Sequence, residues 1–205
     1  MNRTALLVML ALAWAAYGAI HSLSATHAVQ DRVRAHWPRL AARYRLAYNA
    51  LALLLLAPVL ALHWAASGEA LWRWTGWAGP VSTGIAVVAA ALFAWTLRWY
   101  DGAAFLGLRA GAPARFTISP LHRHVRHPWY CLALLVLWTR DMDAALLVSA
   151  TCVTAYLIVG SRLEERKLIA EFGAPYRRYA ARVPGLLPIP GRSLSRAEAD
   201  ALLRS

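Results

Sequence analysis

Apolar residues along this chain fall in long, nearly unbroken stretches, without the spacing of elements that bury one face and wet the other. Three of them, Ala5 to Leu23, Leu46 to Ala66 and Gly79 to Leu97, reach the length of about 20 residues that a helix needs to cross a bilayer's hydrocarbon core. A fourth, Trp129 to Thr139, is too short to cross alone, because about 12 residues at about 1.5 Å each make only about 18 Å. The polar turn RDMD, Arg140 to Asp143, separates it from Ala144 to Ser161. The two predict a hairpin whose first arm tilts, or extends upstream beyond a kink at Pro128. The pattern therefore predicts an all-α polytopic membrane protein with about five transmembrane helices, the last two forming a helical hairpin, plus a cytoplasmic C-terminal helix. A single domain over 1–205 is expected. The first span is expected to persist rather than to act as a cleaved leader, since the polar His21 and Ser22 close it and further spans follow.

Composition agrees with a lipid solvent: 60% of the 205 residues are hydrophobic and only 16% are charged. Charge adds direction. Of the 22 basic residues, all but Arg3, Arg73 and Arg140 fall on one side of the predicted spans. Arg32, Arg34, Arg39, Arg43 and Arg45 precede the second span; Arg98, Arg109, Arg115, Arg123 and Arg126 precede the hairpin; the rest lie in the tail. Basic residues accumulate on the cytoplasmic side, so the chain is expected in the inner membrane with its N-terminus outside and its C-terminus cytoplasmic. Topology thereby accounts for the net charge of +12. Arginines spread over separate loops, with no nucleic-acid module before them, argue against a nucleic-acid partner and for contact with membrane lipids. Cys131 and Cys152 sit inside apolar stretches without CxxC spacing, so neither a disulfide framework nor a metal site is indicated.

Three polar clusters gather at the predicted cytoplasmic ends of the spans. The first span closes on His21 and Ser22, and the second opens with YRLAYN, which stacks Tyr44 over Tyr48 and Arg45 over Asn49 one helical turn apart. An aromatic belt with a snorkelling arginine would look similar, but an Asn buried at the start of a span needs a partner. The third cluster, LHRHVRHPWY, Leu121 to Tyr130, concentrates charge before an apolar arm. It is complemented by the adjacent acids Glu164 and Glu165 in SRLEERKLIAEFGAPYRRY, where Gly173 and Pro175 are expected to stop the helix. Fixed cations and fixed anions imply a site, whereas a merely solvated face would hold weak intrahelical pairs to Arg166 or Lys167.

The order RHPWY, then EE, then FGAPYRRYAARVPGLLP resembles the C-terminal half of the isoprenylcysteine carboxyl methyltransferase and phospholipid methyltransferase superfamily of integral membrane enzymes. The N-terminal AIHSLSA and YRLAYN, with LWTRDM and TAYLIVGSRLEER, are similar to the branch holding methanethiol S-methyltransferases and NnrU-type proteins. The resemblance runs from about Ala19 to Pro188, with the loop from Gly102 to Phe116 poorly matched.

The resemblance implies S-adenosylmethionine as cofactor, with acceptor-side helices in 1–100 and a cofactor-binding half in 117–190. In that half it implies cofactor contacts from His122, Arg126, His127, Pro128, Tyr130, Glu164 and Glu165. Arg126 would fork onto the cofactor carboxylate, and the glutamates would receive its ammonium or ribose hydroxyls. Arg45, His21 and His127 are the expected catalytic groups favouring a thiolate, and Tyr44, Tyr48 and Asn49 the expected walls of the acceptor chamber. Pro120, His122 and His124 depart from the family's usual glycine and aromatic lead-in, and no soluble-type GxGxxG loop occurs. The implied acceptor is a small or lipophilic one, foremost a thiol such as methanethiol. Isoprenylcysteine carboxyl O-methylation and phospholipid N-methylation stay open, since the cofactor half does not read the acceptor. A different class, an NnrU-like haem-binding membrane protein with His21 as axial ligand, would leave RHPWY and the glutamate pair without a role. The pattern does not speak to oligomeric state.

Overall fold

A computed structural model describes residues 2–109 and 116–204; Arg115, counted above toward the charge asymmetry, lies outside them. Two compact units are present, Met1–Ser82 with Tyr100–Ala112 and Arg140–Thr154, and Thr83–Trp99 with Pro113–Thr139 and Ala155–Ser205.

In the first unit, α1 (Arg3–Ser24) packs along α4 (Tyr44–Ala66), with α2 (His27–His36) and α3 (Pro38–Ala41) between them in sequence. The expected spans are thus met to within a few residues. Leu10, Val59, Ala66 and Ala145 form the buried seam, whereas Leu54 on the opposite face is 72% exposed and Trp64 84%. Such faces are tolerable only where the surroundings are themselves apolar. Inside the seam, Trp14 Nε1 donates to Ser149 Oγ at 2.9 Å, and His63 Nδ1 lies 2.9 Å from the same oxygen. These bonds tie α1 and α4 to the start of α8 (Ala144–Arg182) in the way polar side chains join helices in lipid.

The RDMD turn is more than a polar link. Met142–Asp143 (β2) pairs antiparallel with Ala70–Trp72 (β1). Asp141 Oδ1 accepts from the Trp74 amide at 3.0 Å, and Asp143 accepts from the amides of Gly68 at 2.9 Å and Leu146 at 2.7 Å. Asp143 thus caps α8 and latches the hairpin turn to the connection after α4. Near the other end of α4, the short α6 (Gly102–Leu106) is capped by Asp101 and closed by Gly107 at φ 80°. A Cβ on Gly107 would meet the Leu46 amide nitrogen at 2.5 Å, so only glycine lets this turn rest on the start of α4.

In the second unit, α7 (Pro128–Trp138) begins with proline at its first turn, where the missing N–H costs no hydrogen bond. Its Trp129 Nε1 donates to the buried Thr96 Oγ1 at 2.7 Å, near the end of α5 (Ala78–Thr96). The α8 helix breaks at Gly173 (φ 61°, ψ −128°), as the glycine and proline predict. Beyond the break Tyr176, Tyr179 and Val183 pack with Leu194 and Ala199 into a compact core. The chain ends in α9 (Arg196–Arg204), opened by a reciprocal cap in which the Ser195 amide donates to Glu198 at 2.8 Å and the Glu198 amide to Ser195 Oγ at 3.2 Å.

Among the described residues four helices, Arg3–Ser24, Tyr44–Ala66, Ala78–Trp99 and Ala144–Arg182, are long and apolar enough to cross a membrane, and Pro128–Trp138 is a shorter apolar helix. Among the described residues the architecture is all-α and polytopic, with four long apolar helices and one shorter apolar helix where about five spans are predicted.

Candidate functional site

The residues 126 and 127 that precede α7 are held by their own backbone. The Arg126 amide donates to Pro184 O at 2.8 Å and the His127 amide to Gly185 O at 3.0 Å. This aims both side chains at α8. Arg126 Nε and Nη2 reach Glu165 Oε1 at 2.8 Å and 2.7 Å. Its Nη1 donates to Ala180 O at 2.9 Å and to Val183 O. The guanidinium thus joins an acid in α8 to the carbonyls at the end of the same broken helix, where a helix leaves its acceptors unpaired.

His127, buried, lies between the two acids: Nε2 is 3.1 Å from Glu165 Oε1 and Nδ1 is 3.4 Å from Glu164 Oε2. Its ring stacks on Tyr130, centroids 5.3 Å apart and planes 7° from parallel. Tyr130 donates its hydroxyl to Glu164 Oε2 at 3.1 Å. His122 sits at the edge of the cluster, with Nδ1 2.7 Å from Ser119 Oγ and its carbonyl accepting from Tyr179 OH at 2.7 Å. Burial, reinforced by neighbouring His127 and opposed by Glu164, pushes the His122 imidazole down to about 4, so it is neutral at pH 7.

His122, Arg126, His127, Pro128, Tyr130, Glu164 and Glu165 therefore share one polar cluster in the second unit. Two carboxylates meet a single arginine there, and the arginine is committed to Glu165. Glu164, its side chain 47% exposed, faces outward beside the Tyr130 hydroxyl and the His127 imidazole. Such a wall suits a ligand carrying a positive charge and hydroxyl groups. It suits an anion less well, because Arg126 would have to share the fork that now holds Glu165. The Pro184–Gly185 turn that anchors the arginine is part of the site and was assigned no role by residue type; its proline–glycine pair was the available signal.

His21, Tyr44, Arg45, Tyr48 and Asn49 belong to the first unit, and there they spend much of their polarity on structure. Tyr48 OH is 2.7 Å from His21 Nε2, and His21 stacks on Tyr17. Tyr44 OH donates to Ser24 O at 2.5 Å. Arg45 Nη1 donates to Ala104 O at 3.1 Å, and Asn49 Nδ2 to Phe105 O and Leu106 O, both at 3.1 Å. The partner that Asn49 required is thus the unpaired carbonyl end of α6.

Fold and site together describe an integral membrane protein with a mixed-charge cluster built by its last two apolar helices and its tail. The chain is similar to methanethiol S-methyltransferase 2 of Bradyrhizobium diazoefficiens, 36% identical over 137 residues, which cover 64% of this chain and 51% of that protein. It is also similar to the methanethiol S-methyltransferases of Crocosphaera subtropica, 40% identical over 81 residues (39% of this chain, 32% of that protein), and Pseudomonas deceptionensis, 35% identical over 118 residues (56% and 43%). The chain matches about half, or less, of the length of these curated relatives. The matches bear out the resemblance to the membrane methyltransferases. No family model matches the chain, and no solved structure does.

Proposed function

We propose that the chain is an S-adenosylmethionine-dependent membrane methyltransferase of the 2.1.1 class, acting on a small thiol such as methanethiol. The observation that carries the reading is the joining of Arg126, His127 and Tyr130 to Glu164 and Glu165 in one cluster, in a chain whose relatives are named for that reaction. The cluster fits the cofactor: Glu164 and Glu165 with Tyr130 would hold its ammonium and ribose hydroxyls, and Arg126, which fixes Glu165, would share its fork with the carboxylate. Bound there, S-adenosylmethionine would supply a methyl group on a sulfonium leaving group. Pro128 sets the start of α7 and so the position of Tyr130.

Methyl transfer is an in-line displacement, so alignment and exclusion of water matter more than acid–base machinery. The acceptor reacts as thiolate: a new C–S bond forms, the donor's C–S bond breaks, and the thiol proton passes to water or to a base. We assign His127 to favouring the thiolate from the cofactor half. From the first unit we assign the same task to His21 and the cation Arg45, with Tyr44, Tyr48 and Asn49 as the acceptor-side walls. The distribution of basic residues supports an inner-membrane orientation with the N-terminus outside and the C-terminus cytoplasmic.

Purified protein in detergent should transfer labelled methyl from S-adenosylmethionine to methanethiol and give dimethyl sulfide, and should bind S-adenosylhomocysteine by calorimetry. Transfer to a prenylcysteine analogue or to phosphatidylethanolamine alone would replace the acceptor and keep the reaction class. A haem absorption band without nucleoside binding would overturn the reading. A C-terminal alkaline phosphatase fusion active in the periplasm would overturn the orientation.

A further inference from the structure

The first unit contains a cleft of about 930 Å³ whose lining includes Arg34, Arg43, Arg45 and Arg109. Among the described lining residues none is acidic. Like charges do not gather around a water-filled cleft without cost, because each guanidinium there raises the energy of the next. Two of the four are paired, Arg34 with Asp31 at 3.0 Å and Arg109 with Asp101 at 2.7 Å. Both pairs are largely exposed, the kind worth only about 0–1 kcal/mol, so a better anion can draw either arginine away from its partner.

The start of α4 adds to the same field. Arg43 is the residue before its first turn, no side chain caps it, and no acidic residue lies in that turn. The positive end of its dipole accompanies the arginines as Arg43, Tyr44 and Arg45 line the cleft. Exposed apolar residues accompany the arginines. Leu108, which lines the cleft, is 67% exposed, and Leu46, also in the lining, is exposed beside it. Phe105 and Leu106 of α6 are exposed next to them. The cleft therefore lies where α1 ends and α4 begins, at the boundary of two spans, with arginines and exposed leucines together in its lining.

We propose that this cleft binds the phosphate of an anionic phospholipid headgroup, with Arg34, Arg43 and Arg109 on the phosphate and Leu46 and Leu108 against the first part of an acyl chain. A soluble phosphate would satisfy the arginines and leave the exposed leucines in water; a zwitterionic lipid would satisfy the leucines and leave the cationic surplus unmatched. The cleft shares Tyr44, Arg45 and Tyr48 with the acceptor side proposed above, but the lipid proposal rests on the cleft and the membrane architecture and is tested by lipid retention alone, so it can fail without touching the methyltransferase reading.

Full-length protein in detergent micelles would be titrated with phosphatidylglycerol and, separately, with phosphatidylcholine, and retained lipid counted by native mass spectrometry. At about 1 kcal/mol per arginine near a lipid surface, retention of phosphatidylglycerol should exceed that of phosphatidylcholine by at least about fivefold. The combined variant Arg34→Ala, Arg43→Ala, Arg109→Ala should lose the preference, and the matching lysine variant should keep part of it, because lysine retains the charge without the fork. A charge-matched control, Arg162→Ala, Arg177→Ala, Arg204→Ala in the second unit, should keep the full preference. Melting curves of each variant separate loss of binding from loss of fold, and the lysine variant carries the test if the alanine variant unfolds. Equal retention of the two lipids, equal loss in the control, or stabilisation by millimolar inorganic phosphate with no lipid preference would each overturn the proposal.

Discussion

Arg126 and Glu165 stand 39 positions apart in the chain and meet through two contacts, at 2.8 Å from Nε and 2.7 Å from Nη2, on a single carboxylate oxygen. Their side chains are 14% and 22% exposed. The same guanidinium holds carbonyls of Ala180 and Val183, so it fastens the tail to α8 as well as shaping the site.

Arg126→Ala should accordingly destabilise the protein. It leaves the half-buried Glu165 without its arginine and takes a donor from two carbonyls, for a cost of up to about 3–5 kcal/mol. Thermal unfolding in detergent measures it. A melting temperature within a degree of the parent would mean the pair is ornamental to the fold.

Glu164→Gln separates binding from folding, because Glu164 is the more exposed acid and bonds the Tyr130 hydroxyl, whereas Arg126 is held by Glu165. The melting temperature should hold while affinity for S-adenosylhomocysteine falls by about 1.5–3 kcal/mol, the range for a hydrogen bond to a charged group. Calorimetric titration of the two proteins side by side is the measurement.

His122 makes stability depend on pH. Its imidazole lies at about 4 in the folded chain, held there by burial and by His127 against the pull of Glu164, and at about 6.5 when unfolded. Above that value both states are neutral and the fold keeps its full stability. As pH falls from about 6.5 toward about 4 the unfolded chain takes up the proton first, so stability drops, by up to about 3 kcal/mol, and levels off below. Melting temperatures between pH 7 and pH 4 should follow that slope, and His122→Asn should flatten it.

Gly173 carries the break in α8 at φ 61° and ψ −128°, a region that residues with a Cβ scarcely enter. Gly173→Ala should cost about 1–3 kcal/mol, although the site is open enough that no neighbour would clash. The loss should appear in thermal unfolding, and hydrogen exchange should rise in the segment holding Tyr176 and Tyr179.

Asn49→Ala should loosen α6, whose last carbonyls at Phe105 and Leu106 it satisfies. The cost is about 1–2 kcal/mol, and the sharper readout is faster amide exchange across Gly102–Leu106 with unchanged S-adenosylhomocysteine affinity. Altered cofactor affinity would give Asn49 a role that its contacts do not explain.

Much of the architecture could be read from the chain itself. A span is a local property: the hydrocarbon thickness and the rise per residue demand one length, so Leu46 to Ala66 predicts Tyr44–Ala66 almost to the residue. Gly173 and the RDMD turn were legible for the same reason, since a positive φ or a run of polar residues needs no distant partner. The clustering of RHPWY with Glu164 and Glu165 followed from motif order. The choice of partner did not. Arg126 reads as a cation waiting for a ligand, and only closure over 39 and 57 positions gives it Glu165 and Val183. Asn49 needed an acceptor, but the end of α6 became that acceptor only through Gly107 resting on the start of α4. Trp14, His63 and Ser149 carried no pattern at all, because single polar residues in apolar helices acquire meaning only when packing brings them to one oxygen. Element length is set by the solvent and the backbone, which the sequence carries locally, whereas hydrogen-bond partners are set by tertiary contacts between segments that no short stretch encodes.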